Sequence, residues 1–133
     1  MPNFPGALLL SILSVALLGV TPAAQAEDKL PASAKLHANE ASPDIYKLLA
    51  ENEHFRVMLA TWKAGQSDDW HTHQGDLVNY NLTDCELKGE LPGGKMGQLV
   101  RKKGEAGFNT ANSTHKVTNI GKDECVLLIV ERK

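Results

Sequence analysis

The first 26 residues contain no Asp, Glu, Lys, Arg or His, in a chain that elsewhere carries 16 acidic and 14 basic residues. Ala7 to Val20 form an apolar run broken only by Ser11, Ser14 and Gly19, and Thr21-Pro22 leads from it to the small-residue triplet Ala24-Gln25-Ala26. An apolar centre followed by a small-residue site is the order of a secretory signal. The run is shorter than the roughly 20 residues that span a bilayer, and Glu27-Asp28 follows where a stop-transfer segment would be basic. An uncleaved anchor is the alternative, because no Lys or Arg precedes the apolar run. No Cys lies near the cleavage site, which argues against a lipid anchor. The expectation is a signal peptide over 1–26 and a periplasmic or secreted protein without stable membrane insertion after cleavage.

Long basic runs are also missing. The net charge is −2, and Arg101-Lys102-Lys103 is a short basic stretch that reads as a solvated strand edge, so nucleic acid is not an expected partner. Cysteine is scarce, with only Cys85 and Cys125. In an oxidising compartment an even count favours a disulfide, while two buried thiols are the other reading. No internal repeat or low-complexity tract divides the chain, and residues 27–133 are one domain's worth.

What is present reads mostly as strand. Residues 27–41 are small, charged or turn-forming and are expected as a flexible N-terminal arm, with the folded domain over 42–133. Ser42-Pro43 followed by Ile45, Leu48 and Leu49 has the local signature of a short helix. Phe55 to Trp62, Trp70 to His73, Leu77 to Leu82, Gly97 to Lys102, His115 to Ile120 and Cys125 to Glu131 are rich in β-formers or alternate apolar with polar. Pro92-Gly93-Gly94 and Gly121-Lys122-Asp123 punctuate them as turns. Short, closely spaced strands indicate a β-sandwich or barrel, an all-β fold.

His71-Thr72-His73 is the sharpest chemical feature. Alternate residues on a strand project to one face, so two imidazoles can converge on one ion. His115 is the best-placed third ligand, since His37 sits in the arm and His54 opens a strand with no evident partner. Three imidazoles suit a divalent Fe, Mn, Ni or Zn ion and leave positions open for water or substrate.

These residues resemble the cupin family. Its first motif runs Gly, five residues, His-x-His, three or four residues, Glu; Gly65, His71 and His73 fall at the matching positions. The second runs Gly, five residues, Pro-x-Gly, two residues, His, three residues, Asn; Gly104, His115 and Asn119 match, with Thr110 and Asn112 in place of Pro and Gly. Asn tolerates the left-handed backbone that Gly would adopt. The resemblance runs from about Phe55 to Glu131 and implies a double-stranded β-helix, the cupin jelly-roll barrel, with His71, His73 and His115 pointing into its mouth. It also implies a strand, not a helix, at Ile45 to Leu49.

The motif's Glu is absent, because its position falls on Leu77 or Val78. If Val78, Tyr80 and Leu82 face the interior, Asp76 faces it too and becomes a displaced fourth ligand. If the family register holds, Leu77, Asn79 and Asn81 face inward and the centre has three histidines, which is the expected arrangement. Asn79 and Asn119 are expected beside the site, lining it or supporting its ligands. Trp62 and Trp70 read as core aromatics or pocket walls.

Cupins host many functions. The resemblance implies a metal-dependent enzyme, dioxygenase-like or isomerase-like, acting on a small anionic substrate such as a carboxylate. A non-catalytic cupin that binds or senses a metal or small molecule is the alternative, and a metal-free interaction domain is a third reading. A homodimer stays open.

Overall fold

The computed structural model describes residues 30–133, so the expected signal peptide and the first residues of the arm lie outside the described residues. Among the described residues there are nine strands in two antiparallel sheets. One sheet has the order β1 (Tyr46–Glu51), β2 (Phe55–Trp62), β9 (Cys125–Arg132), β4 (Leu77–Asn81), β7 (Ala106–Asn109). The other has the order β3 (His71–His73), β8 (Ser113–Asn119), β5 (Cys85–Glu90), β6 (Met96–Arg101). Together they form a double-stranded β-helix. No described helix is long and apolar enough to cross a membrane.

Alternation along the central strands decides what lies between the sheets. On β2, Arg56, Met58, Ala60 and Trp62 are buried, and on β9 Cys125, Leu127, Ile129 and Glu131 are buried, while their neighbours are not. Such period-2 rows each present one apolar face to the core. Met58, Trp62, Leu87, Leu127 and Ile129 belong to that core. A disulfide joins Cys85, at the start of β5 in one sheet, to Cys125, at the start of β9 in the other.

Two sequence expectations are corrected here. Ile45 to Leu49 do not form a helix: β1 runs through Tyr46–Glu51 and pairs with β2, with a bulge between Leu48 and Ala50. Backbone pairing with β2 outweighs the local helical spacing, and Leu48 and Leu49 stay exposed on this edge strand. Nor is the arm loose throughout. The Lys35 backbone bridges β3, donating to Trp70 O and accepting from the Thr72 amide. A one-turn helix follows, α1 (Ala38–Ala41), with Ala38 fully buried.

Strands β5 and β7 escape sequence reading. Glu86, Lys88, Gly89 and Glu90 of β5 are poor strand formers, held in place by pairing on both sides with β6 and β8. Pro92–Gly94 forms a single 3-10 turn between β5 and β6. Arg101 ends β6, the edge strand of its sheet, and Lys102 beyond it pairs with Asp84 at 2.8 Å.

Candidate metal centre

Pairing between β3 and β8 sets His71 directly opposite His115, with Ser113 opposite His73. Opposite residues in an antiparallel pair share a face, and so do residues two apart, so all three imidazoles enter the barrel on one side. Asn112 precedes β8 with φ at 59°, the left-handed turn expected of it. The ligand-capable atoms of His71, His73 and His115 lie within 4.8 Å of one another. His71 and His73 are buried and His115 is half-buried.

Hydrogen bonds fix which nitrogens face inward. His71 Nδ1 lies 2.9 Å from the carbonyl of Asp69, which can only accept, so the proton sits on Nδ1 and Nε2 carries a lone pair. His73 Nδ1 contacts the Glu131 carboxylate at 3.4 Å, with the same consequence. The two Nε2 atoms then face each other at 3.2 Å. Two imidazole nitrogens bound at about 2.0–2.1 Å to one ion, about 90–110° apart, sit roughly 2.9–3.4 Å from each other. Bare lone pairs at that spacing repel unless a positive charge lies between them. The cluster can hold a metal ion.

Burial prepares the ligands electrostatically. It lowers the His71 pKa to about 4, with His73 adding to the effect, and pushes His115 well below its usual value. A depressed histidine pKa keeps the ring neutral as pH falls, so protons compete with the ion only in more acidic solution. A site of ordinary histidines, titrating near about 6.5, weakens about tenfold per protonated ligand for each pH unit below that value. Chelator competition is expected to show that protonation of His71 costs metal affinity only as pH approaches the His71 value of about 4.

Behind the histidines lies a second polar group that the sequence did not reveal. The Tyr46 hydroxyl donates to Asp68 Oδ2 at 2.6 Å and stands 3.4 Å from His71 Nε2. Asp68 also accepts the Val117 amide at 2.5 Å. Burial raises the Asp68 carboxyl to about 6 even though Tyr46 and Val117 hold it down, and burial with the adjacent Asp68 charge raises Tyr46. Tyr46 was hidden by the helical reading of its segment, and Asp68 by its place in a loop. The sequence signal for Glu131 was its parity with Cys125, Leu127 and Ile129.

The cluster opens on a cavity of about 180 Å³. Tyr46, Trp62, Leu77, Leu127 and Ile129 line it, and Asn79 and Asn109, joined by a 3.1 Å hydrogen bond, form its polar wall.

No protein-family model matches the chain, and no curated protein matches it. Solved structures do. A cupin domain from Bordetella pertussis Tohama I aligns with 26% identity over 67% of this chain and 92% of that one, at a TM-score of 0.63. The chain has the fold of a small cupin domain. An RmlC-like cupin family protein with a double-stranded β-helix fold from Methanocaldococcus jannaschii shares 16% identity over 66% of this chain and 78% of that one, with a TM-score of 0.56. A cupin 2 conserved barrel domain protein from Leptotrichia buccalis shares 25% identity over 67% of this chain and 40% of its own length, with a TM-score of 0.53.

In this cupin fold the register of β4 is the one that leaves Asp76 outside. Leu77 and Asn81 are buried and Asn79 half-buried, whereas Val78, Tyr80 and Asp76 are exposed. Asp76 Oδ1 accepts the Ala111 amide at 2.9 Å, so it caps a turn and is no fourth member of the cluster. Asn79 lines the cavity. Asn119 does not support the histidines: its amide donates to the carbonyls of Trp62, Lys63 and Asp123 and accepts the Gly121 amide, clamping turns at the far end of β8. Trp62 is core and cavity wall at once, and Trp70 is half-buried. His54 is exposed beside Glu53, and His37 contacts Arg56, both apart from the centre.

Proposed function

We propose that this cupin is an exported metalloenzyme that holds one divalent ion on His71, His73 and His115 and acts on a small carboxylate-bearing substrate by proton transfer. The observation that carries the reading is the pair of Nε2 lone pairs 3.2 Å apart at the edge of an apolar cavity. A bound Fe, Mn, Ni or Zn ion would supply Lewis acidity toward a substrate oxygen. Three neutral imidazoles put no negative charge in its coordination sphere, so the open positions favour anions. Leu127 and Ile129 would bury the body of the substrate, and Asn79 and Asn109 would orient its polar end. Tyr46, hydrogen-bonded to a carboxyl raised to about 6, is placed to pass a proton between the cavity and Asp68. That pair favours isomerase-like over dioxygenase-like chemistry. The alternative is a binding or sensing cupin, in which the same site takes up its ligand unchanged.

Metal analysis of the untagged protein from its native host, followed by NMR of small carboxylates with the loaded protein in D₂O, tests both parts. Stoichiometric metal with solvent exchange of a carboxylate's carbon-bound protons, lost in Tyr46→Phe, supports the enzyme. Binding without exchange supports the alternative, and absence of metal removes the reading. Intact mass from the same preparation tests export, for which a mature amino terminus at Glu27 is expected.

The charge argument makes its own prediction. Leu77→Glu places a carboxylate on the cavity wall, and a unit charge about 6 Å from an anion at an effective dielectric of about 20 is worth about 2–3 kcal/mol. Titrations are expected to show carboxylates weakened more than tenfold, at about 1.4 kcal/mol per tenfold, and the metal tightened. Asp76→Asn, altering a turn cap, is expected to leave both affinities within about twofold.

A further inference from the structure

Glu131 lies on the inward row of β9 and is 2% exposed. Its partner across the β9–β4 ladder is Leu77, the position at which the first cupin motif would carry Glu. Directly opposite residues hold their Cβ atoms about 4.5–5.5 Å apart on one face. A carboxylate therefore enters the barrel one strand to the side of the place where this chain has Leu. On the other flank Glu131 faces Arg56, whose guanidinium is engaged by His37 at 2.7 Å and Glu51 at 3.0 Å. Glu131 turns instead toward the centre, with Oε2 3.4 Å from His73 Nδ1 and Oε1 3.5 Å from the Gly75 amide.

Local backbone packing builds this contact. A Cβ on Gly75 would stand 1.6 Å from the carbonyl oxygen of Arg132, so only glycine lets the link between β3 and β4 lie directly against β9. That approach brings His73 and Glu131 together from distant parts of the sequence.

We propose that Glu131 is the carboxylate of this metal centre, acting as a positioning residue through His73 rather than as a ligand. An ionised carboxylate only accepts hydrogen bonds, so it holds the proton on His73 Nδ1 and leaves Nε2 free for the ion. Burying a carboxylate is costly, and a cation bound to the other side of the same imidazole would add to the offset that Arg56, opposite on β2, already provides. Glu131 would thus orient the ring, raise its basicity and balance part of the ion's charge from outside the coordination sphere, leaving the open positions to substrate. The inference rests on the three-histidine reading, and its test separates the two.

The test is Zn²⁺ affinity of the full chain by chelator competition, with nitrogen-15 NMR of the imidazoles in the Zn²⁺-loaded state. Wild type is expected to bind in a His115-dependent way and to carry the His73 proton on Nδ1. Glu131→Gln keeps an acceptor but loses the charge, so it should preserve that tautomer while binding roughly 10- to 100-fold more weakly. Glu131→Leu should lose the Nδ1–H···O signature as well; if it does not fold, the near-isosteric Gln variant decides. Unchanged affinity in Glu131→Gln, with His115-dependent binding intact, overturns this inference and spares the metal reading. Absence of His115-dependent binding in wild type overturns both. An oxygen neighbour of Zn²⁺ seen by X-ray absorption in wild type but missing in Glu131→Gln overturns the positioning role in favour of direct ligation.

Discussion

His115→Ala is expected to lower divalent-metal affinity by well over the roughly 10- to 100-fold that supporting residues around metal ligands are worth. His115 is the most accessible of the three histidines, so its truncation disturbs packing least, and thermal unfolding of the metal-free variant should resemble that of wild type. His71→Ala and His73→Ala should lose the metal equally but also pay for an emptied buried site. His54→Ala, on an exposed residue beside Glu53, should leave affinity unchanged. Metal analysis with chelator competition on the four variants checks the set, and retained metal in two of the three histidine variants would remove the proposed centre.

The second large effect is on stability. Cys85 and Cys125 are 40 residues apart and join the two sheets. Closing a loop of that length restricts the unfolded chain by about 4 kcal/mol on chain-entropy arithmetic. For a domain of this size, with roughly 4–8 °C of melting temperature per kcal/mol, Cys85→Ala/Cys125→Ala is expected to melt roughly 15–30 °C below wild type. Calorimetry measures the shift. Alkylation of unreduced, denatured protein should label neither cysteine, and full labelling of both would refute the bridge.

Much of the fold and the ligand set was legible because it rests on short-range rules. The spacing of His71 and His73 needs only the two-residue repeat of a strand, and the turn at Asn112 needs only a residue that tolerates positive φ. Leu77 to Leu82 could be read as a strand but not sided, since either parity offered plausible inward residues. Pairing with β7 and β9 decided it and excluded Asp76. Tyr46 was lost because edge-strand pairing overrode a local helix signature. Glu131 was visible in the alternation of β9, yet an acidic residue near the end of a strand ordinarily faces water, and only the approach of Gly75 explains why this one does not.

Strand β9 ties the histidine cluster to the rest of the barrel. It carries Cys125 at one end and Glu131 at the other, and it pairs with both β2 and β4 in the middle of its sheet. Until it docks, His73 lacks the partner that selects its tautomer, and the wall formed by Leu127 and Ile129 is missing. A chain without β9 in place has the three histidines but not the enclosed site. On the metal-centre reading proposed above, the enclosed site is complete only with β9 in place.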